Sequence, residues 1–187
     1  MQHSQDARPV SASRTTLTEL MIPSYANFGG KIHGGILLSL MDKVAYACAS
    51  KHSGAYCVTV SVDNVDFMQP VEVGELISLN ASVNYVGKSS MVVGIRVTAE
   101  NVKERFVKHT NTSYFTMVAK DEEGHPFQVP PLLLETQQDV RRFIEARERR
   151  RIYFQSRELM QKAKLAFNME EEVEKLKGER CELRVRL

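Results

Sequence analysis

A chain of 187 residues, 43% hydrophobic and 26% charged, has the size of one domain plus an appendage and the balance of a folding sequence, which excludes two full domains and intrinsic disorder. Its formal net charge of +2 carries no message about partners, and Cys48, Cys57 and Cys181 form neither a CxxC pair nor an even disulfide set, so no metal and no disulfide framework is expected. The opening residues lack a basic region followed by an apolar stretch, and no later segment is apolar for long enough to span a bilayer, so the expected address is cytoplasmic, with no membrane association.

Residues 1–13 are polar and rich in Ser and Arg, and read as a mobile arm, with structure beginning near Arg14. Thr15 to Ile22 reads as a short strand ending at Pro23, and Ser24 to Gly30 as a loop. From Gly34 to about Lys51 the run GGILLSLMDKVAYACASK is rich in Leu, Met and Ala without proline, and predicts the central helix. At about 100° per residue its apolar positions cover an arc of roughly 220°, more than one-sided packing needs, so the helix is expected to be buried by more than one partner. Ser39, Asp42, Lys43, Tyr46 and Ser50 fill the rest.

After Gly54 the pattern turns to β. Tyr56–Phe67, Leu76–Val86, Met91–Asn101 and Phe106–Ala119 alternate or are rich in β-branched residues, and are punctuated by Gly74, Gly87-Lys88-Ser89-Ser90, Lys103-Glu104-Arg105 and Asp121 to Gly124. One long helix for some five strands implies an α+β domain in which the helix covers one face of an antiparallel sheet. Pro130 and Pro131 close that domain, giving boundaries at 14–131. Residues 132–187 read as a charged, mostly helical tail, with helix over Glu135 to Lys177 and no pattern after Gly178. Arg141, Arg142, Arg147, Arg149, Arg150, Arg151 and Arg157 make a local positive charge that suits an anion or forms a solvated helical face.

Three features could carry chemistry. Asp42 is a carboxylate on an otherwise apolar helix, where burial of a charge must be matched by partners or function, although it also fits the polar arc beside Ser39 and Lys43. Gly34 and Gly35 open the helix, where N–H groups lack intrahelical partners and are placed to stabilise an oxyanion; tight packing alone also favours glycine there. Asn27, in the loop before the helix, both donates and accepts hydrogen bonds, as ordinary turn residues also do.

Pro23, Ala26-Asn27-Phe28-Gly29-Gly30-Lys31-Ile32-His33-Gly34-Gly35 and Ser39-Leu40-Met41-Asp42 together resemble the acyl-CoA hydrolase branch of the hotdog superfamily. The resemblance continues through Val58 to Asp63, Phe67 to Val71, Val73-Gly74-Glu75, Gly87 to Ser90 and Asn111 to Val118, and so covers about residues 14–131. It is nearest to the bacterial cytosolic acyl-CoA thioesterases of the YciA-like and Neisseria-type group.

That resemblance implies a hotdog fold, a long central helix wrapped by a five- or six-stranded antiparallel sheet, and hydrolysis of fatty acyl-CoA to acid and CoA. It implies that Asn27 and Asp42 are the catalytic residues, supplied to each site by different subunits, with Asp42 as general base or as nucleophile. Thr59 borders the acyl pocket in similar proteins, and His33 is expected to pack or to face the carbonyl without catalytic duty. Coenzyme A, part of substrate and product and the only cofactor-like group implied, needs donors and positive charge, which Gly87, Lys88, Ser89 and Ser90 supply. Arg147, Arg150 and Arg151 match post-domain arginines that approach the nucleotide in related proteins. Dimers assembling into hexamers are expected. Two other readings stand beside this one. A hotdog hydroxyacyl dehydratase lacks its His-Phe-Pro motif here, and a non-catalytic CoA-ester or nucleotide-binding module would leave the Asn27 and Asp42 pair unexplained. No nucleic-acid motif accompanies the arginines.

Overall fold

The computed structural model describes residues 6–184. The elements in chain order are β1 (Arg8–Pro9), α1 (Val10–Ser13), β2 (Thr15–Leu20), a 3-10 turn (Pro23–Tyr25), α2 (Gly34–Ser53), β3 (Tyr56–Val62), β4 (Leu76–Val86), β5 (Ser90–Asn101), β6 (Phe106–Lys120), β7 (Leu132–Leu133), α3 (Gln137–Leu165) and α4 (Met169–Val173). The chain divides into two compact units, one ending at Ala146 and one running from Arg147 to Leu187.

In the first unit five strands form one sheet in the order β2-β4-β5-β6-β3, and every pairing in it is antiparallel. Alternation sets its two faces. Ile77, Leu79 and Val83 of β4, with Val93, Ile95 and Val97 of β5, turn inward and are fully buried. α2 lies against this face and buries Leu37, Met41, Val44, Ala45, Cys48 and Ala49, residues three or four apart on one side of the helix. The α+β hotdog architecture expected from the sequence is therefore present, with five strands. Gly54, at φ 72°, ends α2 in the left-handed region, where a side chain would be strained.

Regular structure starts earlier than Arg14. Arg8–Pro9 pairs in parallel with Leu132–Leu133, Val10 and Ser13 are buried, and the Ser13 hydroxyl accepts the Val83 N–H at 3.1 Å. The partners of this segment lie far along the chain, so a local reading of a polar stretch sees only the polarity; residues 1–5 of the proposed arm lie outside the described residues. β3 also stops at Val62 rather than Phe67. A bulge between Thr59 and Ser61 turns the strand, and Asp63 makes its N–H bond to Tyr114 O as the chain leaves the sheet.

The first unit continues past Pro131 into the beginning of α3. Thr136 and Asp139 cap that helix reciprocally: the Asp139 carboxylate accepts the Thr136 N–H, and the Thr136 hydroxyl accepts the Asp139 N–H at 3.1 Å. Phe143 packs on Tyr85 with ring centroids 5.1 Å apart. In the second unit the tail helix is not continuous to Lys177. It breaks after Leu165, and Asn168 caps α4 by accepting the Glu170 N–H at 3.2 Å, ahead of Glu170, Glu171 and Glu172, which suit a helix start. Part of the patternless end, residues 185–187, lies outside the described residues. Among the described residues no helix is long and apolar enough to cross a membrane.

Candidate active site

The loop between the 3-10 turn and α2 is wired by Asn27. Its N–H donates to Lys31 O at 2.7 Å, its carbonyl accepts from Gly30 N, and its side-chain Oδ1 accepts the N–H groups of Gly29 (2.9 Å) and Lys31 (3.2 Å). The acceptor of the amide is thus spent on the loop, and the residue itself is exposed. Gly30, at φ 76°, makes the tight reversal possible. Lys31 pairs with Glu72, whose N–H is held in turn by the buried Glu75 carboxylate at 2.9 Å, so the loop is anchored to the turn before β4.

His33 is the N-cap of α2. Its Nδ1 accepts the Gly35 N–H at 2.9 Å, and Ile36 N donates to His33 O. This leaves the Gly34 N–H as the donor at the helix start without a hydrogen bond among the described residues. The Phe67 ring covers Gly34 so closely that a β-carbon there would stand 3.3 Å from it. The expected oxyanion donors are therefore unequal: Gly34 offers its N–H, while that of Gly35 is engaged by the His33 ring. Caps are usually Ser, Thr, Asp or Asn, so residue type alone does not mark His33 as a cap.

Asp42 lies eight residues beyond Gly34, about 12 Å along the axis at about 1.5 Å per residue. It is on the exposed side of α2, and its Oδ1 accepts a 2.6 Å hydrogen bond from the Thr59 hydroxyl of β3. The same hydroxyl is 3.4 Å from Met117 Sδ, a far weaker acceptor than a carboxylate. Asp42 and Thr59, picked separately from the sequence, thus form one pair, while no hydrogen bond joins Asn27 to Asp42 within the chain among the described residues. The same helix and strand expose apolar side chains beside the polar Ser39 and Lys43: Leu38, Tyr46, Tyr56, Val60 and Val62 are 37–61% exposed. β3 is an edge strand, paired on one side only with β6.

Gly87 to Ser90 connects β4 to β5. The Gly87 N–H donates to Ser90 O at 2.7 Å, the Ser89 carbonyl accepts from Ala119 and the Lys88 carbonyl from Val129, while Lys88 is exposed. A β-carbon on Gly87 would stand 2.8 Å from Ser90 Oγ, so a larger residue there requires that hydroxyl to turn away. Arg147, Arg150 and Arg151 belong to the second unit. There Arg151 grips Glu148, holding that carboxyl below its ordinary pKa through their hydrogen bond, and Arg150 stacks 5.1 Å over Phe154.

Residues 29–105 match the model of the thioesterase superfamily. Protein VdlD of Helicobacter pylori is 45% identical over 142 residues, which are 75% of this chain and 81% of that protein. Among solved structures, an apo-hexameric acyl-CoA thioesterase is 34% identical and superposes with a TM-score of 0.73, covering 87% of this chain and 99% of the other. The acyl-CoA hydrolase of Staphylococcus aureus, solved in complex with butyryl coenzyme A, coenzyme A and coenzyme A disulfide, is 31% identical, with a TM-score of 0.71 over 83% of this chain and 97% of its own. Structures of that hydrolase also exist with one asparagine, one aspartate or one threonine replaced by alanine, and those three positions have the spacing of Asn27, Asp42 and Thr59.

Proposed function

This chain belongs to the thioesterase superfamily, and from that premise we propose that it hydrolyses acyl-CoA to a carboxylic acid and CoA at sites completed by two copies of the chain. The observation that carries the reading is the Thr59–Asp42 hydrogen bond, which fixes a carboxylate on an exposed helix face that also carries apolar side chains. The helix geometry supports the two-copy arrangement. Asp42 sits about 12 Å down the axis from the Gly34 N–H of its own chain, too far to act on a carbonyl held there. A second α2 running antiparallel alongside the first brings the Asp42 of one copy toward the Gly34 and Asn27 of the other. The exposed apolar face and the unpaired edge of β3 are the surfaces such a partner covers.

In this reading the thioester oxygen is held by the Gly34 N–H and Asn27 Nδ2. Asp42 takes a proton from water as the water adds to the carbonyl carbon, the C–S bond breaks, and the proton passes to the departing thiolate. A base acting through a water needs less movement than a nucleophile, and Asp42 is tethered to β3 by Thr59, which favours the base role. Lys88 and the hydroxyls of Ser89 and Ser90, on the turn that the Gly87 N–H closes, are assigned to the CoA phosphates. Arg147, Arg150 and Arg151 of the second unit are assigned separately to phosphate binding. A hexamer like that of the apo-hexameric neighbour, and a cytoplasmic location where acyl-CoA is available, complete the proposal.

The test is release of free CoA thiol from acyl-CoAs of short to long chain by wild type and Asp42→Asn. Turnover by wild type that is lost in the variant supports the reading. No turnover on any chain length leaves a binding module and overturns it. Lys88→Ala and Arg150→Ala are expected to raise KM for acyl-CoA far more than for acyl-pantetheine, and equal effects on both rule out the phosphate role.

A further inference from the structure

The second unit carries an apolar stripe that nothing among its described residues covers. From Arg147 to Leu165 no residue of α3 is buried, and Ile152, Leu159 and Met160 are 53%, 67% and 58% exposed. At about 100° per residue, Ile152, Ser156, Leu159, Met160 and Ala163 fall within an arc of about 100°, while Arg150, Arg157 and Gln161 lie on the opposite side. Phe167, just past the helix, is 59% exposed and with Met160 and Ala163 lines a shallow apolar groove.

We propose that this stripe is an interface with the same stripe of a second copy, the two tails running antiparallel. Two features of the sequence select that occupant and that direction. The stripe is self-complementary on reversal: Ile152 stands as far before Leu159 as Phe167 stands after Met160, so an axis between Leu159 and Met160 lays Ile152 of one copy by Phe167 of the other. The charges are complementary in the same sense. Of the five arginines from Arg147 to Arg157, Arg149 falls within the arc of the stripe and stands opposite Glu170 on reversal, and Met169 to Glu174 holds Glu170, Glu171, Glu172 and Glu174 with no base. A parallel pair sets arginines beside arginines; an antiparallel pair sets them beside glutamates. Arg150 and Arg157 point away from the stripe, over the rings of Phe154 and Tyr153.

Symmetric disulfides test the geometry, because two cysteines join only when their Cα atoms come within about 7 Å. In the full chain with the exposed Cys181 replaced by serine, Met160→Cys, Ile152→Cys and, on the far side, Gln161→Cys are oxidised mildly and run on a non-reducing gel, with folding checked by circular dichroism. Met160→Cys is expected to give a band of twice the chain mass, and Ile152→Cys alone to stay monomeric like Gln161→Cys. Cross-linking of Ile152→Cys as readily as Met160→Cys indicates a parallel pair and overturns the proposal. So does a Met160→Cys chain that cross-links no more than Gln161→Cys. Leu159→Cys repeats the test should Met160→Cys fail to fold.

Discussion

Replacing Thr59 by valine keeps the shape and the β-branch and removes only the hydroxyl that donates to Asp42. A hydrogen bond to a charged group contributes about 1.5–3 kcal/mol, and the exposure of both residues in the single chain places this one at the lower end. At about 1.4 kcal/mol per tenfold in rate, kcat is expected to fall about tenfold, because the hydroxyl orients the carboxylate that acts in the transition state. The fold does not depend on this contact, so thermal stability should change little. The assay is thiol release under saturating acyl-CoA for wild type, Thr59→Val, Thr59→Ser and Asp42→Asn, together with the double variant Thr59→Val/Asp42→Asn. Thr59→Ser should stay close to wild type, and in the Asp42→Asn background the loss of the hydroxyl should cost little more. A Thr59→Val enzyme within twofold of wild type refutes the reasoning.

Two further predictions concern the proton and the core. Single turnover in 18O-labelled water should put the label into the released acid during the first cycle, as base catalysis requires; an unlabelled acid in that cycle identifies Asp42 as the nucleophile. His52 is wholly buried, and its Nδ1 has no hydrogen-bond partner among the described residues. Burial pushes its pKa below 6.5, the Pro130 carbonyl bonded to Nε2 opposes this, and Arg8 adds to the depression. The folded state therefore keeps His52 neutral where the unfolded chain protonates it, so its stabilising effect is present above pH 6.5 and lost as pH falls toward the folded pKa. The Tm of wild type should drop with acidification over that window more steeply than that of His52→Gln; equal slopes contradict the assignment.

Elements are legible in the sequence where local signals and tertiary demands agree. β4 matches its expected limits because Gly74 and Gly87 bracket a run that alternates toward the core, and α2 begins at Gly34 as its composition indicates. Elements are illegible where the deciding contact is distant. The Arg8–Pro9 pairing with Leu132–Leu133 and the seat of Ser13 against Val83 leave no mark in a window around Arg8. At the site, Asp42, Asn27 and Thr59 were legible as residue types in a family pattern. That Thr59 holds Asp42 follows from α2 and β3 packing side by side, and the capping of Gly35 by His33 from a backbone turn. Neither is written in spacing alone.

The central claim, a site built from Asn27 of one copy and Asp42 of another, is tested most directly by mixing two inactive variants. Asn27→Ala and Asp42→Ala chains, combined in equal amounts after subunit exchange verified by mass spectrometry, should regain activity, up to about a quarter of wild type if copies pair at random across a two-fold interface. Activity that stays at the level of the separate variants contradicts the shared site.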